Sequence, residues 1–300
     1  LVTGVQTCAL RISNMNRPKR VAAIQDMSGF GRCSLTVILP VLSAMGVQVS
    51  PIPTAILSTH TGGFGEVVMR DLTEYIQPCL AHYKSQGIEF ECIYSGFLAS
   101  ENQVDHCLEF FRSYPQALKV VDPVMGDHGK PYKTYTKAMQ NRMAELVRVA
   151  DLITPNVTEA YILLGEEYDH SPITRMQAKS MLVRLSEMGP RYVVITGMQL
   201  ASGTMTNVGY DRERNAFWMV PCEYVPVSYP GTGDIYASVL IGGFLSGDSL
   251  PIAMDRATRF VELSIQTTFS YGTDTREGVM LEKTLGWLTT QTVLGGYQIL

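Results

Sequence analysis

Apolar and polar residues alternate along the chain in short blocks that predict strands and helices in turn. Apolar runs such as 21–24 and 192–196 are typical of strands buried on both faces of a sheet. Between these runs the apolar residues recur at helical spacing. The predicted strands cover 21–24, 47–57, 92–94, 118–121, 152–153 and 192–196. The predicted helices cover 34–45, 71–86, 101–112, 136–149, 157–164 and 174–188. Segment 204–226 predicts two or three antiparallel strands, segment 27–32 a glycine-containing loop, and the remainder mostly helix.

This alternation favours an α/β protein with a mainly parallel central sheet covered by helices on both faces. Ligands of such sheets bind beyond the carboxyl ends of the strands. Several polar residues lie at or shortly after the carboxyl ends of predicted strands: Asp26, Asp122, Asn156, Glu159 and Thr196. We therefore expect these side chains to meet in one site.

Composition narrows the class of protein further. The 300 residues are 46% apolar and 17% charged, which predicts a soluble globular chain with a large core. A net charge of −4 without a basic stripe argues against nucleic-acid binding. We see no apolar run near the roughly 20 residues that span a bilayer, so we expect no membrane insertion. Six scattered cysteines without a CxxC pair indicate free thiols in a reducing cytoplasm.

The first fourteen residues differ from the rest of the chain. They show no clean periodicity, precede a plausible start at Met15, and resemble a translated sequencing adaptor. A signal peptide fits less well, because a basic first region is missing and polar residues break the apolar core. We expect residues 1–14 to be a foreign leader, and residues 15–300 to form a single domain.

The segment with the most chemical information is Gly231-Thr232-Gly233-Asp234, which leads into an apolar helical run. Two glycines around a threonine allow a tight turn that aims several N–H groups at one point, where a helix begins. Such a helix start binds anions, because unpaired amides and the helix dipole both favour negative charge. Asp234, in the first turn, is placed to take a proton from an attacking hydroxyl. The pattern predicts phosphoryl transfer to an alcohol, and the alternative is an ordinary glycine-rich loop.

Two further motifs each allow two interpretations, a structural one as a turn or helix cap and a functional one as metal ligands. Asp122-Pro123 after a strand is most often a turn, and Asn156 with Glu159 resembles a capping box. Alternatively, Asp122, Asn156 and Glu159 offer the hard oxygen ligands that a Mg²⁺–nucleotide needs, in part through water. Both interpretations remain open from the residues alone.

Two other kinds of phosphate-binding motif are absent from the chain. It has no GxxxxGK[ST] motif and no complete GxGxxG motif, which disfavours a P-loop enzyme and a Rossmann dehydrogenase.

Two polar loops contain further candidate site residues. The polar loop Ser58-Thr59-His60-Thr61 could line a small-molecule pocket, with His60 as a hydrogen-bonding residue. Segment 126–135 is long and polar enough to close over a site as a flap, or it is a plain surface loop.

Together these motifs resemble the ribokinase superfamily, and within it the pyridoxal, pyridoxamine and pyridoxine (vitamin B6) kinases. The resemblance covers residue 20 to about residue 287. It implies a ribokinase-like three-layer α/β/α fold, with ATP, Mg²⁺ and a B6 vitamer as ligands, and a homodimer. Whether a monovalent cation assists stays open at this point. The resemblance also implies that Asp234 deprotonates the 5′-hydroxymethyl group while the amides of Gly231, Thr232 and Gly233 stabilise the transferring phosphoryl.

The resemblance also assigns the remaining site residues. The nucleotide or its metal would contact Asp122, Thr154, Asn156, Glu159, Thr196, Val220, Gly231 and Gly233, with Asp122 and Glu159 as metal ligands. The helix around 261–268 would border the nucleotide as well. The vitamer would contact Asp26, Ser58, His60, Thr61, Phe97 and Asp234.

Two positions depart from the B6 kinase pattern. Asp26 replaces a serine that approaches the pyridine nitrogen, and an aspartate there could pair with a protonated pyridinium. Phe97 replaces a tyrosine, which keeps a ring for stacking but loses a hydroxyl. Asp26 also keeps a sugar-kinase interpretation open, although the glycine-rich sugar motif is not seen. The alternatives to a B6 kinase are a hydroxymethylpyrimidine kinase of thiamine synthesis and a non-catalytic B6-binding relative.

Overall fold

The computed structural model describes residues 17–132, 135–223, 225–290 and 294–300. The predicted foreign leader, residues 1–14, lies outside the described residues. The strands in chain order are β1 (Arg20–Phe30), β2 (Gln48–Thr59), β3 (Met69–Asp71), β4 (Cys92–Ser95), β5 (Leu118–Val121), β6 (Gly126–Asp127), β7 (Lys130–Pro131), β8 (Leu152–Ile153), β9 (Tyr192–Gln199), β10 (Met205–Asp211), β11 (Ala216–Pro221) and β12 (Gln298–Ile299). The α-helices are α1 (Leu35–Ala44), α2 (Thr73–Ser85), α3 (Glu101–Ser113), α4 (Lys137–Val149), α5 (Val157–Leu164), α6 (Arg175–Glu187), α7 (Thr232–Ser246), α8 (Leu250–Tyr271) and α9 (Leu281–Thr284).

Ten of the described strands form one sheet, in the order β12-β11-β10-β9-β8-β5-β4-β1-β2-β3. The central six, from β2 to β9, pair in parallel, because each is joined to the next through a helix. β3 at one edge and β10 to β12 at the other pair antiparallel. The short strands β6 and β7 form a separate hairpin.

Helices cover both faces of this sheet and divide the core in two. One buried cluster joins the sheet to α2, α3, α4, α5 and α6, and the other joins it to α1, α7, α8 and α9. Ala22 and Ile24 point into the first cluster, whereas Val21 and Ala23 point into the second, as the two-residue period of a strand requires. The predicted three-layer α/β/α fold with a mainly parallel sheet is confirmed.

The prediction for segment 27–32 was wrong in part. We expected a loop there, but β1 continues to Phe30, because Met27, Ser28 and Phe30 still pair with β2 after a register shift beyond Gln25. The chain turns back after Phe30, and an isolated antiparallel bridge joins Met27 to Ser34. Asp26 consequently lies within a strand rather than after one, close to the start of α1.

The predicted antiparallel strands in segment 204–226 are confirmed as β10 and β11. None of the helices that the structure describes is long and apolar enough to cross a membrane. The carboxyl ends of β1, β4, β5, β8 and β9 share one edge of the sheet.

Candidate active site

The amino end of α7 has the backbone geometry of the cradle (residues 231–233) that the sequence predicts as an anion site. Gly231 has φ +79°, and a Cβ there would collide with the Arg32 carbonyl oxygen, so both the conformation and the packing require glycine. The first hydrogen bond of the helix runs from the Ile235 N–H to the Gly231 oxygen at 3.0 Å. The amides of Thr232, Gly233 and Asp234 precede it and project from the helix end. A Cβ on Gly233 would meet no described atom within 4 Å, so this turn faces open space.

Asp234 lies in the first turn of α7 with its side chain turned inward and only 9% exposed. Its Oδ2 accepts the Ser34 N–H at 2.9 Å and contacts the Cys33 thiol at 3.6 Å. Burial raises the pKa of Asp234 to about 6, and the negative charge of Asp26 adds to this rise, while the Ser34 N–H opposes it. A carboxyl with a pKa near 6 is charged at neutral pH and still basic enough to accept a proton.

Asp26 is the second carboxylate of this pocket, and it is 5% exposed. Its Oδ2 accepts a hydrogen bond from the Ser28 hydroxyl at 3.1 Å. Burial raises the pKa of Asp26, whereas the hydroxyls of Ser34 and Ser28 favour its charged form. The bridge between Met27 and Ser34 brings the end of β1 next to Ser34, whose N–H binds Asp234, so the two carboxylates belong to one pocket.

A row of polar side chains lies on the sheet face below α7. Ala23, Tyr94, Val120 and Leu152 are aligned across β1, β4, β5 and β8, and all four belong to the core cluster on that face. Gln25 follows Ala23 by two residues on β1, so its side chain takes the same face of the sheet. By the same two-residue period, Asp122 and Thr154 take this face just beyond the ends of β5 and β8.

This row contains buried polar atoms that find no hydrogen-bond partner among the described residues. They are the Gln25 amide, the Tyr94 hydroxyl and the Thr154 hydroxyl. Asp122 is buried with them, and its pKa is raised by burial and by the charges of Glu159 and Asp234. Buried polar groups are normally paired, so this row fits a polar or charged ligand.

Asn156 and Glu159 cap α5, as the capping interpretation expected. Asn156 Oδ1 accepts the Glu159 N–H at 2.9 Å, and Glu159 Oε2 accepts the Asn156 N–H at 2.8 Å. Asn156 Nδ2 donates to the Gly126 oxygen at 2.8 Å, and Glu159 Oε1 accepts the Met125 N–H at 3.0 Å. These bonds join α5 to the segment after Asp122. Burial raises the pKa of Glu159 to about 8, although the backbone donors favour the charged form.

The β6–β7 hairpin occupies part of the predicted flap 126–135. His128 and Gly129 form its turn with φ of +51° and +76°, and the Gly129 N–H donates to Thr158 Oγ1 at 2.9 Å. The hairpin borders a cavity of about 340 Å³ next to the cradle. The cavity is lined by His128, Pro226, Val227, Ser228, Tyr229, Thr232 and Ile265. Ile265 falls in the predicted border helix 261–268, whereas the Val220 side chain is fully buried in the core.

The His60 side chain makes one hydrogen bond at each nitrogen of its imidazole ring. Its Nε2–H donates to the Arg276 oxygen at 2.6 Å, and its Nδ1 accepts the Gly62 N–H at 3.0 Å. His60 is therefore a hydrogen-bonding residue in this arrangement, as the sequence predicts.

The other predicted vitamer contacts are Ser58, Thr61 and Phe97, which differ in exposure. Ser58 is exposed, and its hydroxyl accepts the Val68 N–H at 3.1 Å. Thr61 is exposed as well. Phe97 is half-buried with its ring centroid 6.0 Å from that of Tyr135.

Sequence reasoning missed several residues of the site, namely Gln25, Cys33, Ser34, Tyr94 and Arg276. Cys33 and Ser34 follow the predicted loop without any motif, and their approach to Asp234 spans 200 residues of chain. Gln25 and Tyr94 could have been found by extending the strand alternation from Ala23 and Cys92.

A helix start that presents unpaired amides and a buried carboxylate at the edge of a parallel sheet is the arrangement that the resemblance to ribokinase-like kinases predicts. The sequence profile of the phosphomethylpyrimidine kinase family matches residues 39–278. The chain therefore belongs to the phosphomethylpyrimidine kinase family, and it is a kinase. The predicted resemblance to ribokinase-like kinases is confirmed.

Solved structures of similar proteins agree with this assignment. A protein of Bacteroides thetaiotaomicron, provisionally named a phosphomethylpyrimidine kinase, is 41% identical with a TM-score of 0.91, covering 95% of this chain and 99% of that one. A second crystal form of it contains pyridoxal, with a TM-score of 0.90. Pyridoxal kinase from Lactobacillus plantarum is 30% identical with a TM-score of 0.83, covering 90% of this chain and 96% of that one. A pyridoxal kinase of Deinococcus radiodurans is 25% identical, covering 85% of this chain and 89% of its own length.

Proposed function

We propose that this kinase transfers the γ-phosphoryl group of ATP to the 5′-hydroxymethyl group of pyridoxal, pyridoxamine or pyridoxine. The observation that carries the proposal is the buried Asp234 carboxylate directly beside the outward-facing amides of the α7 cradle. The pyridoxal in the Bacteroides relative and the name of the Lactobacillus relative support the choice of substrate class.

In the proposed mechanism the Asp234 carboxylate accepts the proton of the acceptor hydroxyl. The amides of Thr232 and Gly233 then stabilise the negative charge on the transferring phosphoryl oxygens. The Ser34 N–H holds Oδ2 of Asp234 in place, which leaves Oδ1 for the acceptor. Phosphoryl transfer depends mainly on positioning and charge neutralisation, so this small set of groups is chemically sufficient.

Mg²⁺ supplies charge neutralisation at the phosphates in enzymes of this kind. The donor set fits the ion, because Asp122 and Glu159 are buried carboxylates close enough for the charge of Glu159 to raise the pKa of Asp122. Both Glu159 oxygens also accept backbone N–H groups, which orients this carboxylate. Among the described residues no three His, Cys, Asp or Glu side chains cluster as a metal site. We propose that Asp122 and Glu159 hold the ion, in part through water, as Mg²⁺ usually retains several waters.

We propose that ATP occupies the cavity between the flap hairpin and the cradle. Its lining by Tyr229, Ile265 and Val227 suits a base, and its lining by Thr232 supports a phosphate position at the helix start. Thr196, Asn156 and Val220 remain predicted nucleotide contacts. The two polar atoms of the Asn156 amide already serve the capping box and Gly126, so its contribution would be to position the flap.

The alternative substrate is hydroxymethylpyrimidine. The matching profile is that of the phosphomethylpyrimidine kinase family, which supports this alternative. Both substrates present a hydroxymethyl group on a nitrogen heterocycle, so the cradle and Asp234 would act alike on either. A non-catalytic relative is disfavoured, because Asp234 and the glycines of the cradle are intact.

A substrate panel tests the proposal. The purified kinase is incubated with Mg·ATP and each of pyridoxal, pyridoxamine, pyridoxine and hydroxymethylpyrimidine, and ADP release and the phosphorylated product are measured. We expect 5′-phosphate from at least one B6 vitamer at a kcat/KM above that for the pyrimidine. Turnover of the pyrimidine alone would assign the alternative, and ligand-induced stabilisation without ADP release would indicate a binding protein.

We further propose that residues 15–300 form a single domain and act as a homodimer in the cytoplasm, with help from a monovalent cation. Free thiols at Cys33, Cys79, Cys92, Cys107 and Cys222 support a reducing compartment. Sedimentation velocity tests the dimer, and turnover in potassium against tetramethylammonium buffers tests the cation.

A further inference from the structure

Helix α8 presents three charged side chains along one side, and hydrogen bonds fix all three. Asp255 and Glu262 lie four residues before and three residues after Arg259, so both carboxylates flank its guanidinium. Each guanidinium nitrogen has its own acceptor. Nε donates to Asp255 Oδ1 at 3.1 Å, Nη1 donates to Glu262 Oε2, and Nη2 donates to the Pro221 oxygen at 2.6 Å. The two carboxylates of the helix therefore orient the guanidinium so that its third nitrogen meets the end of β11.

The same helix also binds the chain just beyond β11. Glu262 Oε1 accepts the Glu223 N–H at 2.6 Å, and Gln266 Nε2 donates to Glu223 Oε2 at 2.8 Å. Asp255 is 1% exposed and Glu262 8%, so water has little access to the two carboxylates that contact Arg259. Hydrogen bonds that involve a charged group are stronger than neutral ones. Arg259 and Glu262, which we call the α8 clamp, thus hold the end of β11 and Glu223 against α8.

The α8 clamp lies at the edge of the sheet that carries the candidate active site. β10 pairs antiparallel with β9, and β11 pairs antiparallel with β10, so β11 runs in the same direction as β9. The carboxyl end of β11 at Pro221 therefore lies at the edge where the carboxyl ends of the parallel strands meet. From there the chain continues to the cradle, and on the way residues 226–229 line the cavity next to the cradle. We call residues 226–229 the cavity wall.

The cavity wall is held at its other end by the cradle, because the Thr232 hydroxyl donates to the Tyr229 oxygen at 3.0 Å. Helix α8 itself lines the same cavity through Ile265, three residues beyond Glu262. The helix therefore lines the cavity and, through the α8 clamp, also holds the segment that leads into the cavity wall. Without the clamp, the start of the cavity wall would be free to move relative to Ile265, and contacts with a base bound between them would weaken.

We propose that Arg259 and Glu262 are positioning residues for the nucleotide, which hold the cavity wall at the separation from α8 that a nucleotide base requires. This inference rests on the proposed function, because it takes the cavity as the ATP site. It assigns the α8 clamp a role in nucleotide affinity, separate from vitamer binding and from the chemistry at Asp234.

Arg259→Lys tests the α8 clamp with the positive charge retained. A lysine ammonium is a compact point charge and cannot reproduce the planar fork that serves three separate acceptors. We expect ADP affinity, measured by calorimetry, to fall roughly tenfold and the KM for ATP to rise to the same extent, the size of one hydrogen bond to a charged group. The KM for pyridoxamine and the kcat at saturating ATP should stay unchanged.

Two substitutions of Glu262 test the bond to the Glu223 N–H. Glu262→Ala removes the acceptor, whereas Glu262→Gln keeps a side-chain oxygen for it. We expect ADP affinity to fall about tenfold in Glu262→Ala and to stay closer to the wild-type value in Glu262→Gln. Equal losses in the two variants would overturn the role assigned to Glu262.

The matched control is Arg256→Lys. Arg256 lies on the same helix, and its Nε donates to Asp248 Oδ2 at 3.0 Å. Asp248 follows the carboxyl end of α7, whose 15 residues place this ion pair roughly 20 Å from the cradle. The control should lower Tm without changing ADP affinity, which separates positioning of the cavity wall from a general effect on stability. Wild-type ADP affinity in Arg259→Lys, or an equal loss of ADP affinity in Arg256→Lys, would overturn the proposal.

The design distinguishes this inference from the proposed function. Binding of ADP is measured without an acceptor, so the result does not depend on which hydroxymethyl compound the kinase phosphorylates. A wild-type protein that binds ADP while Arg259→Lys binds it equally well would refute the role of the α8 clamp alone. A wild-type protein that binds no ADP would refute the proposed function, and the inference with it.

Discussion

Replacing Asp234 with asparagine should stabilise the folded protein while it abolishes turnover. The carboxylate is buried at the end of α7, and burial raises its pKa from an ordinary value of 3.8 to about 6. A buried charge that is not fully compensated lowers the stability of the fold. Asparagine has nearly the same shape, carries no charge, and can still accept the Ser34 N–H through its amide oxygen.

The size of the effect follows from the two pKa values. One pKa unit corresponds to 1.36 kcal/mol, so a rise from 3.8 to about 6 costs the folded state about 3 kcal/mol when the group is charged. Removing the charge would recover this free energy only in part, because the asparagine NH₂ group also needs a hydrogen-bond partner near Cys33. We therefore expect Asp234→Asn to gain about 1–3 kcal/mol at pH 8, which raises Tm by several degrees in a chain of this length.

The dependence on pH has a definite sign. A group whose pKa is raised by folding contributes stability that is present below its unfolded pKa of 3.8 and is lost as the pH rises through about 6. The wild-type protein should therefore be as stable to unfolding as the variant near pH 4, and should become less stable than the variant between pH 4 and pH 7. The assay is thermal unfolding of both proteins at half-unit pH steps, in which carboxyl groups distant from Asp234 affect both proteins alike. The loss of charge at position 234 also lowers the pKa of Asp122, which adds to the stability of the variant at high pH. A variant that is less stable at pH 8, or a difference that does not change with pH, would refute this account of Asp234.

Three further perturbations probe the site. The kcat/KM of the wild-type enzyme should fall tenfold per pH unit below about pH 6, because Asp234 must be deprotonated to act as the base, and a flat profile from pH 5 to 8 would exclude this role. Asn156→Ala should lower the free energy of unfolding by about 1–2 kcal/mol in urea titrations, since it removes the N-cap of α5, and an unchanged midpoint would contradict the capping assignment. Asp26→Asn should raise the KM for pyridoxamine about tenfold, as expected for loss of a charge-assisted contact, with kcat less affected, whereas an unchanged KM would rule out the pyridinium pairing.

The sequence predicted most of the fold, because its strands and helices have clear periodicity. The run 192–196 and the helical spacing in 101–112 each led to the observed element within a few residues. The short strands β3, β6, β7 and β12 were not predicted, and β1 was predicted too short. Its second half, from Met27 to Phe30, looks like a glycine-containing loop in the sequence and becomes a strand only because β2 lies alongside it.

The site was predictable only where local sequence determines local structure. The cradle at Gly231 and the capping box at Asn156 and Glu159 are such cases, since each involves a few consecutive residues. The contact between Ser34 and Asp234 is not, because it joins residues 200 positions apart and depends on a positive φ that serine does not signal. The roles of Asp26, Ser58, His60, Thr61 and Phe97 in substrate binding stay predictions.

The central claim is that the Asp234 carboxylate and the α7 amides act on the two partners of one phosphoryl transfer. The most direct measurement is a crystal structure of the wild-type protein with a non-hydrolysable ATP analogue and pyridoxamine. The account predicts a carboxylate oxygen of Asp234 about 2.6–3.2 Å from the 5′-hydroxyl oxygen, with the terminal phosphate bound at the amides of Thr232 and Gly233. A 5′-hydroxyl that lies beyond hydrogen-bonding reach of Asp234, with the phosphates bound elsewhere than the α7 amino end, would contradict it.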